Sequence, residues 1–189
     1  MHNPYRLLLS FLALVAFAIS AGCGGGGSTT GGAGAVDELA RFKSEQDSVT
    51  NRLAVFDTLD YNVFSNQEWT RLHESHSADI VVNWPDGHHT NGIDRHIADL
   101  KAMFVYAPDT QIKEHPIRFG SGEWTCVTGV MTGTFTKPMP IGGGKSIAAT
   151  GKKFSVGMCT VGHWKNGVMI EESLYWDNAT YMSQLGIKM

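Results

Sequence analysis

From Asp37 onward the chain switches between two periodicities. Leu39, Phe42, Val49, Leu53, Phe56 and Leu59 recur at spacings of three, four and seven, the one-sided stripe of an amphipathic helix, and predict helix over 37–62. Trp69 and Leu72, three apart, predict a second short helix over 66–73. The β-branched run ADIVVNW, 78–84, reads as a strand that the turn tripeptide Pro85-Asp86-Gly87 stops. Ile93, Ile97, Leu100 and Phe104 predict a third helix over 93–106, closed by Pro108. Strands follow over 110–119, 123–135, 152–161 and 168–176, with hairpin turns at Gly120-Ser121-Gly122 and Lys165-Asn166-Gly167. Asn-Gly takes the positive φ of such a turn at little steric cost. The segment KPMPIGGGK, 137–145, is a loop between the two middle strands, and a last short helix over 179–185 ends at Gly186. No internal repeat interrupts this order.

Helices first, then antiparallel strands, then a closing helix specify an α+β domain, with the N-terminal helices packed on one side of a curved antiparallel sheet. A long sheet wrapped over a helix leaves a pocket at its open end, where a small molecule can bind.

The segment ahead of Asp37 follows another pattern. Arg6 is the one permanent charge of the head, and Leu7 to Ser20 carries none. That run makes roughly 21 Å of helix, shorter than the ~30 Å hydrocarbon core of a bilayer, and so reads as the apolar core of a secretory signal. It ends in Ser20-Ala21-Gly22-Cys23, which resembles the lipobox of bacterial lipoproteins; an ordinary cleavage site is the alternative. The expected organisation is a signal peptide over 1–22, lipidation at Cys23, a Gly/Ser-rich tether over 23–36 that behaves as a coil, and one folded domain over 37–189. The protein would then be exported and held at a membrane only through its lipid, or be secreted. A net charge of −3 with interspersed signs and no basic stripe argues against nucleic acid as a partner. Cys126 and Cys159 lack CxxC spacing, so they suggest buried small hydrophobes or, after export, a disulfide.

Aromatic and ionisable residues gather near the predicted strand ends. Trp84, His88, His115, Trp176 and Asp177 are expected to approach one cavity, with Asp177 as general acid/base, His88 or His115 polarising or shuttling a proton, and Trp84, Trp176 and Glu172 holding substrate. Asp177 precedes Asn178-Ala179-Thr180 and can equally cap the last helix. His88-His89 can be solvated surface, and His115 a core histidine. Glu171 and Glu172 must point to opposite faces of their strand. No GxSxG or HExxH occurs, and His73-x-x-His76 has no third ligand nearby in sequence, so no metal is expected.

The stretches NWPDG (83–87), TNGIDRHIADLKAMF (90–104), GEWTCVTGVMTGTF (122–135), ATGKKF (149–154) and WKNGVMIEESLYWDNATYMSQLG (164–186) resemble the SnoaL-like family of polyketide and ester cyclases. The resemblance covers the chain from Asp37 to Lys188. It implies the nuclear transport factor 2-like cone, homodimers packed sheet to sheet, and a pocket that needs no cofactor. It also implies acid/base chemistry on a small hydrophobic carbonyl compound: the best-known members close a polyketide ring by aldol condensation, a pocket Asp helped by a His moving the protons. Gly167 to Glu171 fits the family's Gly-x-x-x-Glu, and Asp177 and Gln184-Leu185-Gly186 fit its tail. Counted without gaps, the family's acid/base Asp falls on Leu174, which leaves Asp177 as the next carboxylate. A binding module without turnover is the alternative on the same fold.

Overall fold

The structure is a computed structural model that describes residues 30–188; the expected signal peptide over 1–22, the expected lipidation at Cys23 and the start of the expected tether lie outside the described residues. Helix α1 (Thr30–Thr58) runs on into a π-helical turn (Leu59–Phe64) and a 3₁₀ turn (Trp69–Glu74). Strand β1 (His76–Asn83), a short β2 (His89–Asn91) and α2 (Ile93–Tyr106) follow. The remaining order is β3 (Gln111–Ile112), β4 (Arg118–Ser121), β5 (Trp124–Thr134), β6 (Met139–Pro140), β7 (Ser146–Ile147), β8 (Lys153–Lys165), β9 (Val168–Trp176) and α3 (Asn178–Leu185).

This is the α+β arrangement that the periodicities demanded. The main sheet has the order β2-β1-β9-β8-β5-β3, with β4 also on β5, and β6 and β7 form a small separate hairpin. Every pairing in the main sheet is antiparallel except β1 with β9, where Val82 stands beside Glu172. Alternation along β5 buries Thr125, Val127, Gly129, Met131 and Gly133 and turns the intervening residues outward. Gly133 has no substitute there, since a Cβ would lie 2.6 Å from the ring of Phe154. Phe56, Leu72, Ile80, Phe135 and Trp164 anchor the core between helices and sheet.

The differences from expectation have local causes. The predicted strand 110–119 splits into β3 and β4, because Pro116 offers no N–H to a ladder and His115 turns in beneath α1. His89 is not turn but the start of β2, which folds back so that Asn83 pairs with His89. Helix α1 begins at Thr30, inside the stretch expected to be coil; glycine costs about 1 kcal/mol in a helix but does not clash there. The N-terminal part of the stripe, Leu39 and Phe42, stays exposed, while Val49, Phe56 and Leu59 are buried and Leu53 packs against the core. The thiols of Cys126 and Cys159 lie 3.5 Å apart and are unbonded, and burial together with Cys126 pushes the Cys159 thiol up to about 11. Among the described residues, no helix is long and apolar enough to cross a membrane.

Candidate active site

Between the helices and the concave side of the sheet lies a narrow apolar cavity of about 40 Å³, room for roughly two waters. Leu100, Met103, Met131, Met158, Trp84 and Trp176 supply much of its wall. Into this wall project four ionisable side chains from four elements: Asp60, His76, His96 and Glu172. Each is placed by local geometry. The π-helical turn, closed by Ser65 N–H donating to the Asp60 carbonyl at 3.2 Å, keeps Asp60 on the buried side with Leu59 and Val63. His96 falls on the buried stripe of α2, three residues after Ile93 and four before Leu100. Alternation on β9 puts Glu172 and Leu174 inward and leaves Glu171 outside, where it accepts from Asn83 Nδ2 at 3.0 Å.

Two polar groupings share the cavity. In the first, His115 Nδ1 meets Asp57 Oδ1 at 2.7 Å and its Nε2 meets Asp60 Oδ2 at 2.8 Å, with Arg118 paired to the far side of Asp57. The His115 side chain is 1% exposed, stacked under Tyr61 at 4.6 Å, and so joins a half-buried Asp57 to the cavity carboxyl by short hydrogen bonds. Burial pushes the Asp60 carboxyl above the usual aspartate range, although the hydrogen bond and charge of His115 pull the other way. In the second, Glu172 Oε2 stands 3.3 Å from His96 Nε2 and 3.5 Å from His76 Nε2. Burial would raise Glu172, but the two imidazoles outweigh it and hold the carboxyl below the usual range. Burial lowers His96 to about 4, so it is neutral at pH 7.

The residues singled out in the sequence divide accordingly. Trp84, Trp176 and Glu172 line the cavity. Trp84 Nε1 donates to Thr90 and Trp176 Nε1 to Asn178, which leaves apolar faces for the cavity, the two indoles meeting edge to face at 6.2 Å. His115 is not itself in the wall but hydrogen-bonds Asp60, which is. His88 is exposed, stacked flat on the outer side of Trp84 at 5.2 Å and bound to Asp86 at 2.5 Å, so it does not reach the cavity. Asp177 is exposed at the N-cap of α3, where it accepts from Ala179 N–H and Thr180 Oγ1. Those bonds hold its carboxyl low, the opposite of what a proton-transfer acid needs. His73 and His76 part company too: His73 stays on the exposed 3₁₀ turn, while His76 opens β1 and finds His96 and Glu172 instead. Asp57, Asp60 and His96 escaped the sequence reading, and His76 was weighed there only as a partner of His73. The signal for two of them was present, since Asp60 stands four residues after Phe56 and His96 three after Ile93, polar positions inside apolar stripes.

The model of the SnoaL-like polyketide cyclases matches residues 54–185. Among curated proteins none matches in sequence. Solved structures with the same fold include a proposed SnoaL-like polyketide cyclase from Jannaschia sp. CCS1, 16% identical over 75% of this chain and 95% of that one, with a TM-score of 0.65. IdmH, a proposed polyketide cyclase from Streptomyces antibioticus, is 19% identical over 72% and 99%, with a TM-score of 0.61. AclR from Streptomyces galilaeus, a proposed hydroxylase, is 15% identical over 73% and 97%, with a TM-score of 0.61. At such identities the likeness establishes the fold, and one fold carries both names, so the reaction has to be argued from the cavity.

Proposed function

The chain belongs to the SnoaL-like polyketide cyclase family, and we propose that it acts on a small hydrophobic carbonyl compound by moving a proton at the carbon beside the carbonyl. One observation carries this reading: Asp60, a carboxyl raised by burial, lies in an apolar cavity and is hydrogen-bonded through His115 to Asp57. An aspartate in that environment, its carboxyl raised by burial, is a stronger base once ionised than one in water. Asp60 takes the proton from the α-carbon and leaves an enolate. His115, bridging to Asp57, orients the carboxylate. The substrate oxygen is turned toward the imidazoles of His76 and His96. The enolate then regains a proton from Asp60, or its α-carbon attacks a second carbonyl and closes a ring, the C=O π bond opening to an alkoxide that takes the proton from Asp60. Substrate larger than the resting cavity is admitted by Met103, Met131 and Met158, whose unbranched side chains repack readily.

The test is deuterium incorporation at the α-carbon of a panel of hydrophobic 1,3-diketones in D₂O, followed by proton NMR. Exchange faster than buffer and blocked by a non-enolisable analogue is expected. Binding without any acceleration across the panel would leave only the binding-module reading.

Two further parts of the proposal concern setting. Export with lipidation at Cys23 predicts, for protein from its native host, cleavage before Cys23 and a diacylglyceryl mass on it; an unmodified mature N-terminus elsewhere would leave only secretion. Sheet-to-sheet dimerisation is supported by the large apolar side chains exposed on β4, β5 and β9, Phe119, Trp124 and Tyr175. Light scattering at micromolar concentration should report a dimer, and a monomer there refutes it.

A further inference from the structure

We propose that His76, His96 and Glu172 form a binding site for one divalent transition-metal ion of the Zn²⁺ class, with open coordination toward the cavity. The three ligand atoms come from β1, α2 and β9 and lie within 4.8 Å of one another, and all three residues are buried. Two imidazoles and one carboxylate are the donor set of open, catalytic Zn²⁺ sites and of facial non-haem sites. Mg²⁺ and Ca²⁺ prefer all-oxygen ligands and fit it poorly.

The spacing separates a metal site from a hydrogen-bonded cluster. A charge-assisted bond between imidazole and carboxylate closes to about 2.7–2.9 Å. The same chain makes such contacts at His115, at 2.7 and 2.8 Å. At Glu172 the separations are 3.3 and 3.5 Å, and neither His76 Nε2 nor Glu172 Oε2 has any hydrogen-bond partner although both are buried. Ligands at ~2.1 Å from a tetrahedral centre stand about 3.4 Å apart, close to the separations of 3.3 and 3.5 Å between Glu172 and the two imidazoles.

The outer contact of His76 points the same way, whereas His96 Nδ1 is buried without a hydrogen-bond partner. Ser75 Oγ donates to the Leu72 carbonyl at 3.2 Å, so its oxygen is free to accept from His76 Nδ1–H at 2.9 Å. Where His76 Nδ1 carries the proton, as Ser75 allows, Nε2 turns a lone pair toward a carboxylate oxygen. A lone pair and a carboxylate held together in an apolar wall repel unless a cation lies between them. The hydrogen bond from Nδ1 is also the outer-shell contact that orients metal-binding histidines. A bound ion would hold a substrate carbonyl or enolate oxygen as a Lewis acid, which departs from the cofactor-free pocket implied by the family resemblance. The proposal deepens the acid–base reading by supplying the group that meets the oxygen. It is measured without substrate, so either can fail alone.

The experiment uses the full chain, stripped with chelator and then dialysed against Zn²⁺, with Co²⁺ as the spectroscopic probe. One equivalent of Zn²⁺ per chain and the visible d–d bands of low-coordinate Co²⁺ are expected. Glu172→Gln and His76→Ala, each checked for folding by near-ultraviolet circular dichroism, should weaken Zn²⁺ binding by more than the roughly 100-fold that loss of an outer-shell partner can cost, and Ser75→Ala by ~10-fold or more. If a variant fails to fold, the wild type supplies the same test. Its Co²⁺ bands should be lost after histidine is carbethoxylated by diethyl pyrocarbonate, and kept when Zn²⁺ occupies the site during that reaction and is then exchanged for Co²⁺. Substoichiometric Zn²⁺, or binding that either Glu172→Gln or the histidine reagent leaves unchanged, overturns the proposal.

Discussion

Asp60→Asn is expected to slow α-proton exchange by about 10²–10⁴-fold while ligand affinity is kept. Asparagine is nearly isosteric and its carbonyl still accepts from His115 Nε2–H, so the geometry at 2.8 Å survives and only the proton acceptor is lost. Asp177→Asn is the control. Asparagine caps a helix about as well as aspartate, so the exposed N-cap of α3 is retained and exchange should run at the parental rate. Parental exchange in Asp60→Asn, or its loss in Asp177→Asn, would return the catalytic role to the carboxylate after β9. Stability adds a second readout. A carboxyl raised in the folded state contributes stability that is complete below its unfolded pKa and is lost as pH rises through the folded value. At neutral pH the parent therefore carries the cost of a buried charge that asparagine lacks. Asp60→Asn should be at least as stable there, and any advantage should shrink as pH falls toward the ordinary aspartate range.

Such a variant, stable and inactive, is the pattern of a residue kept for chemistry rather than packing. It also explains which parts of this protein were readable in advance. Helix α2 and strand β9 were placed at their observed bounds, because an uninterrupted stripe with Pro108 beyond it and an Asn-Gly turn each decide one boundary. The capping alternative for Asp177 was legible for the same reason: it depends only on neighbours in sequence. The aromatic wall was found from Trp84 and Trp176, which flank strand ends. What could not be read is anything that depends on register between distant strands. His76 meets Glu172 only because β1 lies parallel beside β9, a pairing that no local pattern announces. Asp60 was hidden twice, by a π-helical turn that adds a residue to the stripe and by a partner, His115, from the break between β3 and β4. Pro116 signalled that break but not the direction in which His115 would turn.

His115 is where the stability and the chemistry of the site can be separated. Both its ring nitrogens are engaged by carboxylates at 2.7 and 2.8 Å, and the side chain is 1% exposed, packed against Tyr61 and edge-on to Phe56 at 5.7 Å. Replacing it with leucine roughly conserves volume but strands the Asp60 carboxyl, whose side chain is 11% exposed, without its partner. Removing one member of a buried pair costs about 3–5 kcal/mol, because the other is left uncompensated. For a domain of this size that lowers Tm by roughly 10 °C. Asp57 suffers less, since it is partly solvated and retains Arg118. The second step decides the cause. In the His115→Leu background, Asp60→Leu removes the stranded carboxyl and fills its place with apolar volume, so most of the lost stability should return. Exchange activity should not return with it. Denaturant midpoints at unchanged slope measure the first quantity, and deuterium incorporation the second. If His115→Leu costs under ~1 kcal/mol, or if Asp60→Leu adds its own loss in place of a recovery, the Asp57–His115–Asp60 chain is not the buried, mutually compensated unit on which the acid–base role of Asp60 depends.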